Sequence, residues 1–341
     1  RSSDLDLIIR DDGELISGGG IALNGRNGDI HITDDILAQK GITVNIAEQG
    51  SVFFDRDVAV TNDVDISTDN GNINVGHDVS SSEGTVILQT GEGDITVGSD
   101  GTGSVTAEKD VKVTTGDGDI DIVKSVVSND GSVTLQSDSG NIHVGDNGPD
   151  VDTVTAKENV TLKTVDGTIA VDGKTSTVEG DITVDAHDEN EEAGDNLVIA
   201  HNGQLISGRD LTLHTYNGNI EVTDDTTAQR NLILTVDNRG DVTFDRNVDV
   251  EGTISAEVKQ GDLTIGKELN AGEDISVKTG GGNIAVGADV SAGRDVAMTT
   301  GGGNITVGED VTAGRNAVLT TGAGDITVGS DGTGSVTAEK D

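Results

Sequence analysis

The sequence predicts an all-β fold: a parallel β-helix (β-solenoid) with three short strands and about 21–22 residues per coil. Three observations lead to this prediction. Apolar and polar residues alternate in short segments, glycine-rich turns separate the segments, and the whole pattern returns at a fixed period. A unit this short cannot bury its own apolar face, so copies must stack on one another.

The plainest copy of the repeat occupies residues 282–302. Alternation with a period of two is typical of half-buried strands. Three apolar pairs show it: Ile284/Val286, Val290/Ala292 and Val296/Met298. Runs rich in Gly and Asp, which suit turns, follow these pairs at 287–289, 293–295 and 301–303. We therefore predict three strands and three corners per coil.

The glycine that opens the coil recurs at 218, 240, 261, 282, 303 and 324, with spacings of 22, 21, 21, 21 and 21. Fifteen opening strands can be counted: at Leu5 to Ile9, after Gly28, Gly50, Gly71, Gly93, Gly118, Gly140 and Gly167, at Asn196 to Ile199, and after the six glycines of the regular series. Stacking predicts an inward apolar ladder of Ile220, Val242, Leu263, Ile284, Ile305 and Ile326. It also predicts a corner ladder of Asn219, Asp241, Asp262, Asn283, Asn304 and Asp325.

Longer repeats lie over the short one. Residues 13–18 match 203–208 at an offset of 190, and residues 93–110 are identical to 324–341 at an offset of 231. We expect residues 1–341 to form a single continuous β-solenoid of about 15 coils. It would contain a duplicated block, in which about 5–110 is related to about 195–341. We also expect the chain to be a segment of a longer repetitive protein.

The irregular coils carry their extra residues at corners. Insertions at 99–103 and 146–150 follow an opening strand, and the next strands resume at Val105 and Val154. An acidic run at 185–192 follows a predicted strand at 181–184, and we interpret the run as a solvated loop.

Composition excludes several classes of function. The formal charge is −41 with only 21 Lys and Arg, which disfavours nucleic acid and anionic membrane surfaces as partners. No cysteine is present, so disulfides and thiolate chemistry are excluded. The sequence also has no apolar run long enough to span a bilayer, and we expect no membrane insertion.

The candidate chemical residues do not converge on one site in the sequence. The six histidines are His31, His77, His143, His187, His201 and His214. They are scattered over the coils without a partner constellation, so we predict no catalytic, cofactor-binding or metal-binding residues. The sequence does allow one cation: hard ions take carboxylate oxygens, and a Ca²⁺ ion could lie between Asp241 and Asp262. A hydrogen-bonded corner explains the same two residues.

Two other patterns resemble functional motifs. Residues 117–121 match the first half of a calcium loop without its second half, and strand and corner residues explain them better. Acids on a solenoid face could also flank a sugar chain, as in β-helical proteins that bind or degrade polysaccharides. The near-uniform coils single out no active site, so we predict that the protein is not an enzyme and keep polysaccharide binding or degradation as the alternative.

The segments 21–30, 292–296 and 320–328 resemble repeats of large secreted bacterial proteins of the filamentous haemagglutinin and autotransporter type. The resemblance implies a right-handed parallel β-helix on the cell surface or outside the cell. It also implies a structural role, as a stiff filament or adhesin shaft. The expected partners are further copies of the chain, joined end to end or laterally, and glycans of the cell surface or extracellular matrix.

Overall fold

The computed structural model describes residues 6–10, 13–146, 148, 152–187, 196–329 and 332–339. Every regular element in these ranges is a β-strand. Among the described residues, no helix is long and apolar enough to cross a membrane. The chain divides into two compact units, residues 1–172 and 173–341.

The strands that begin in the first unit follow one another at short intervals. They are β1 (Leu7–Ile9), β2 (Leu15–Ser17), β3 (Ile21–Asn27), β4 (Ile30–Ile32), β5 (Ile36–Ala38), β6 (Ile42–Gln49), β7 (Val52–Phe54), β8 (Val58–Val60), β9 (Val64–Asn70), β10 (Ile73–Val75), β11 (Val79–Ser81), β12 (Val86–Glu92), β13 (Ile95–Val97), β14 (Val105–Ala107), β15 (Val111–Asp117), β16 (Ile120–Ile122), β17 (Val126–Ser128), β18 (Val133–Ser139), β19 (Ile142–Val144), β20 (Asp152–Ala156), β21 (Val160–Asp166) and β22 (Ile169–Thr177).

The second unit continues the same order. Its strands are β23 (Ile182–Ala186), β24 (Leu197–Ala200), β25 (Leu205–Ser207), β26 (Leu211–Asn217), β27 (Ile220–Val222), β28 (Thr226–Ala228), β29 (Leu232–Arg239), β30 (Val242–Phe244), β31 (Val248–Val250), β32 (Ile254–Val258), β33 (Leu263–Ile265), β34 (Leu269–Ala271), β35 (Ile275–Thr279), β36 (Ile284–Val286), β37 (Val290–Ala292), β38 (Val296–Thr300), β39 (Ile305–Val307), β40 (Val311–Ala313), β41 (Ala317–Thr321), β42 (Ile326–Val328) and β43 (Val336–Ala338).

Within each unit, every strand pairs in parallel with the strand one coil away. The first face contains β1, β4, β7 and their successors, the second face β2, β5 and β8, and the third face β3, β6 and β9. In the second unit, for example, Ile284 pairs with Ile305, Val290 with Val311 and Val296 with Ala317. The predicted parallel β-solenoid with three strands per coil is confirmed.

The core of each unit lies inside the three faces and consists mainly of stacked aliphatic side chains, with Phe54 buried in the first unit and Phe244 in the second. All six apolar residues predicted from residues 282–302 are buried, at 0–3% exposure. Of the predicted inward ladder from Ile220 to Ile326, every residue is buried except Ile326, which is 43% exposed. Ile326 lies on the last first-face strand that the structure describes, so no described strand covers it.

The opening glycine is required because the chain passes very close to the coil before it. Gly240 has a φ of 155°, and a Cβ there would overlap the carbonyl oxygen of Gly218. Residues with a Cβ atom rarely adopt this backbone conformation. The glycines recur about every 21 residues because this close approach occurs once in each coil.

The polar residue after the opening glycine bonds to the next coil. In the second unit, each side-chain oxygen accepts a hydrogen bond from the backbone N–H of its counterpart one coil later, at 2.7–3.0 Å, through the series Asn196, Asn219, Asp241, Asp262, Asn283, Asn304 and Asp325. The first unit has the same series through Asp6, Asp29, Ser51, Asn72, Asp94, Asp119, Asn141 and Thr168. We call each series an acceptor ladder.

The other two corners contain bonds of the same kind. At the second corner, Asp289 accepts from the backbone of Asp310 at 2.9 Å. At the third corner, Asp274 accepts from Asp295 and Asp295 from Asn316, both at 3.1 Å. Polar residues that open strands thus bond to successive coils at all three corners.

Inside the coil, buried hydroxyl groups near the end of the third-face strand bond to glycine carbonyls. Thr115 Oγ1 donates to the carbonyl oxygen of Gly93 at 2.9 Å, and Thr300 Oγ1 donates to that of Gly282 at 2.7 Å. Thr115 and Thr300 are both nearly fully buried. These bonds satisfy hydroxyl groups that would otherwise be costly to bury.

Residues related by the offset of 190 adopt the same local structure in their separate units. Thr33 Oγ1 donates to the carbonyl oxygen of Ile9 at 3.3 Å, and Thr223 Oγ1 donates to that of Ile199 at 3.3 Å. The third-face ladder also has an irregular register after Gly25 and, 190 residues later, after Thr215. Local sequence therefore fixes these details.

The irregular coils are partly as predicted. The insertion at 99–103 forms a turn, and strand β14 resumes at Val105 as expected. In the insertion at 146–150, residues 147, 149 and 150 lie outside the described residues, and strand β20 begins at Asp152. The loop prediction for 185–192 is wrong for Asp185 and Ala186, which belong to β23. Residues 188–192 lie outside the described residues.

Candidate functional site

The histidines of the outward faces lie beside aspartates of neighbouring coils. Outward positions of a parallel stack repeat every coil, so a histidine on one strand can contact carboxylates of the coil before it and the coil after it. Three histidines have aspartates on both sides, and we call this arrangement an Asp–His–Asp stack. They are His77, His143 and His214.

His143 in the first unit is the simplest of these stacks. Its Nδ1 lies 2.9 Å from Asp121 Oδ1, and its Nε2 lies 3.1 Å from Asp172 Oδ2. The hydrogen bond to Asp121 raises the pKa of His143 to about 9; partial burial opposes the shift, and Asp172 adds to it. The imidazolium form therefore predominates at neutral pH and offsets part of the negative charge of the two carboxylates.

His77 and His31 are related arrangements in the same unit. His77 lies 3.7 Å from Asp57 through Nδ1 and 2.5 Å from Asp100 through Nε2. His31 Nε2 lies 2.9 Å from Asp55 Oδ1, and its ring packs edge to face against Phe53 at a centroid distance of 5.8 Å. Each of these histidines pairs with acids and has no second histidine beside it among the described residues.

His214 differs from the others because a second histidine lies beside it. The Nδ1 atom of His187 is 3.2 Å from the Nε2 atom of His214, and the two ring centroids are 4.5 Å apart. The Tyr216 ring meets His187 edge to face at 5.3 Å. The prediction of scattered histidines is therefore wrong for this pair.

Two aspartates complete the group around His214. Asp185 Oδ1 lies 2.9 Å from His214 Nδ1, and Asp237 Oδ2 lies 2.8 Å from His214 Nε2 and 3.8 Å from His187 Nδ1. The hydrogen bond to Asp185 is the main cause of a raised pKa at His214; burial opposes it, and Asp237 adds to it. We call Asp185, His187, His214 and Asp237 the histidine cluster.

The histidine cluster is built from three consecutive coils of the second unit. Asp185 lies on β23 and His187 just after it, His214 lies on β26, and Asp237 lies on β29. Asp185 and His214 are direct partners in the parallel register. Asp185, His187 and His214 each offer a metal-binding atom, and these three atoms lie within 4.8 Å of one another.

The other sequence candidates take structural positions. Asp241 Oδ1 accepts the backbone hydrogen bond of Asp262, so the proposed calcium pair is part of the acceptor ladder. Within 117–121, Asp119 belongs to the same kind of ladder and Asp121 contacts His143. His201 lies between β24 and β25 with a left-handed φ of 52°.

The fold defines the class of the protein as a parallel β-solenoid repeat protein. Comparison of the chain with protein-family models, with curated proteins and with solved structures finds no match in any of the three. Proposals about function therefore depend on the geometry described above.

Proposed function

We propose that the chain is a non-catalytic structural element, the shaft of an extracellular filament or adhesin. The observation that supports the proposal is that the repeated polar residues hold successive coils together. At the first corner, a side-chain oxygen in coil after coil bonds the backbone of the next coil. Each repeat therefore supplies the acceptor that bonds one more coil, so the chain can be extended by adding repeats.

The charge of the chain fits a surface role. Outward strand positions are largely polar or charged, and the chain carries a formal charge of −41. Like charge keeps neighbouring molecules apart and soluble, and it attracts divalent cations. We propose that copies of the chain associate end to end or laterally, with cations between acidic faces, and that glycans of the cell surface or matrix are the outer partners.

Immunoelectron microscopy of the source cells, with antibodies against this chain, tests the proposal. A shaft predicts label along surface filaments or on stalks that project from the cell. Label confined to the cell interior would contradict the proposal. A parallel assay against acidic and neutral polysaccharides addresses the enzymatic alternative. Turnover by the purified chain that is lost in His214→Gln would overturn the non-catalytic assignment.

A further inference from the structure

We propose that His187, His214 and Asp237 bind one divalent transition-metal ion, of the zinc type, across three consecutive coils of the second unit. The ligand atoms are Nδ1 of His187, Nε2 of His214 and Oδ2 of Asp237. Two imidazoles and one carboxylate are ligands that zinc accepts, with the fourth position left to water or another donor.

The spacing of the three atoms matches a tetrahedral site. A zinc ion bonds nitrogen and oxygen at about 2.0–2.2 Å, so two ligands of a tetrahedron lie about 3.3 Å apart. The observed separations are 3.2 Å for His187 to His214, 2.8 Å for His214 to Asp237 and 3.8 Å for His187 to Asp237. Each separation lies within about 0.5 Å of the tetrahedral value.

The surroundings of the three atoms orient them for this role. Asp185 Oδ1 lies 2.9 Å from His214 Nδ1. A carboxylate there favours a hydrogen on Nδ1, and the neutral ring then has its lone pair on Nε2, the atom assigned to the ion. Metal-bound histidines usually have a carboxylate or carbonyl at the second nitrogen in this way. The edge contact with Tyr216 at 5.3 Å packs the His187 ring from another side.

The duplicated block provides an internal comparison. At the offset of 190, the counterparts of His214 and Asp237 are Asn24 and Ala47. In place of Tyr216 the first copy has Arg26, which forms an ion pair with Glu48. The same coil structure forms in the first unit without these ligands, so stacking alone does not require the histidine cluster.

The donor set favours zinc-like ions over Ca²⁺ or Mg²⁺. Imidazole suits Zn²⁺, Cu²⁺ and Ni²⁺, whereas hard cations prefer a full shell of oxygens. A bound ion would tie β23, β26 and β29 together through side chains. The expected consequence is local stabilisation of these three coils.

Titration of the full chain with ZnCl₂ in excess MgCl₂, followed by calorimetry, tests the proposal. The magnesium occupies the many exposed carboxylates. One equivalent of zinc should bind, with affinity at least ~10-fold weaker in His187→Gln and in His214→Gln, and ~10–100-fold weaker in Asp185→Asn. His143→Gln is the matched control, because it also removes a histidine between two aspartates, and its zinc affinity should equal that of the unchanged chain.

Two further measurements keep the result interpretable if a variant folds poorly. Circular dichroism checks each fold, and His187→Gln is the main variant because His187 lies outside the strand. Zinc should raise the melting temperature of the unchanged chain, EDTA should reverse the rise, and His187→Gln should abolish it. Absence of a stoichiometric zinc site would overturn the proposal. So would a zinc affinity in His187→Gln and His214→Gln equal to that of the unchanged chain.

Discussion

The Oδ1 atom of Asp241 accepts a hydrogen bond from the backbone nitrogen of Asp262, one coil later, at 2.8 Å. Asp262 Oδ1 accepts in turn from the backbone nitrogen of Asn283 at 2.7 Å. The side-chain amide of Asn283 also donates to Asp262 Oδ1, at 3.1 Å. Ser51 fills the same position in the first unit through its hydroxyl oxygen. The position therefore selects an acceptor oxygen on a short side chain, and charge is secondary.

Loss of the acceptor at residue 241 should weaken the next coil locally. In Asp241→Ala the amide of Asp262 loses its partner, at a cost of about 1 kcal/mol, which corresponds to about a fivefold faster hydrogen exchange of that amide. Asp241→Asn keeps the oxygen and should exchange within about twofold of the unchanged chain. Exchange measured by NMR checks this, with Glu221→Ala as a surface control. Equal acceleration in Asp241→Asn would show that charge matters more than the acceptor.

Replacement of the opening glycine should be far more damaging than replacement of a nearby glycine. Gly240→Ala puts a Cβ against the Gly218 carbonyl at a φ of 155°, and we expect a loss of at least about 1–3 kcal/mol. At Gly281 an added Cβ meets no atom within 4 Å, so Gly281→Ala should change stability by less than about 1 kcal/mol. Thermal melting of the two variants compares them. Similar melting temperatures would contradict the steric account.

The Asp–His–Asp stack of His143 predicts a pH-dependent stability. The pKa of His143 is raised from 6.5 to about 9. The contribution of its ion pairs to folding stability is therefore complete below about pH 6.5 and is lost as the pH rises through about 9. Since the side chain is 39% exposed, the contribution should not exceed about 1 kcal/mol. Titration followed by the NMR signal of the His143 ring should give a midpoint near 9.

Unfolding of His143→Gln provides the second measurement. The variant should be less stable than the unchanged chain at pH 6, and the difference should vanish above the folded pKa. A ring midpoint near 6.5 would contradict the stack, as would a stability difference that grows with pH.

The sequence was sufficient to predict the fold because each of its signals has one physical cause. Glycines such as Gly240 and Gly282 recur because a side chain would overlap the previous coil. Apolar pairs such as Ile284 and Val286 alternate because every second residue of a strand points inward. The glycine spacing and the two-residue alternation are both visible in the sequence, so strands and corners could be located to within a few residues.

The acceptor ladders could be predicted only in part. Stacking placed Asp241 above Asp262, but the sequence could not show which atoms bond. A glycine followed by Asp or Asn also fits an isolated turn or a calcium site. The structure shows which atoms bond: the side-chain oxygen of Asp241 accepts from a backbone nitrogen of the next coil.

The histidine cluster was missed because extra residues interrupt the period there. Asp185 and His214 are 29 residues apart, and neither the period of 21 nor that of 22 aligns them. The strand register that pairs Ile182 with Leu211 restores the alignment. Pairing these two apolar positions in the sequence would have placed Asp185 beside His214, but His187 lies beyond the strand and could not be placed.

Disulfide trapping tests the central claim, that coils stack in the register described, most directly. The chain has no cysteine, so pairs can be introduced cleanly. Thr264 pairs with Ala285 in the adjacent coil, and Ala285 pairs with Thr306 in the coil after that. Adjacent parallel strands lie about 4.8 Å apart, which is within disulfide reach, and two coils span about 9.6 Å, which is beyond the ~7 Å limit.

Mild oxidation of the monomer should therefore link Thr264→Cys to Ala285→Cys efficiently. It should fail to link Thr264→Cys to Thr306→Cys. Failure of the adjacent pair to form, or equal yields from the two pairs, would contradict the stacked-coil account.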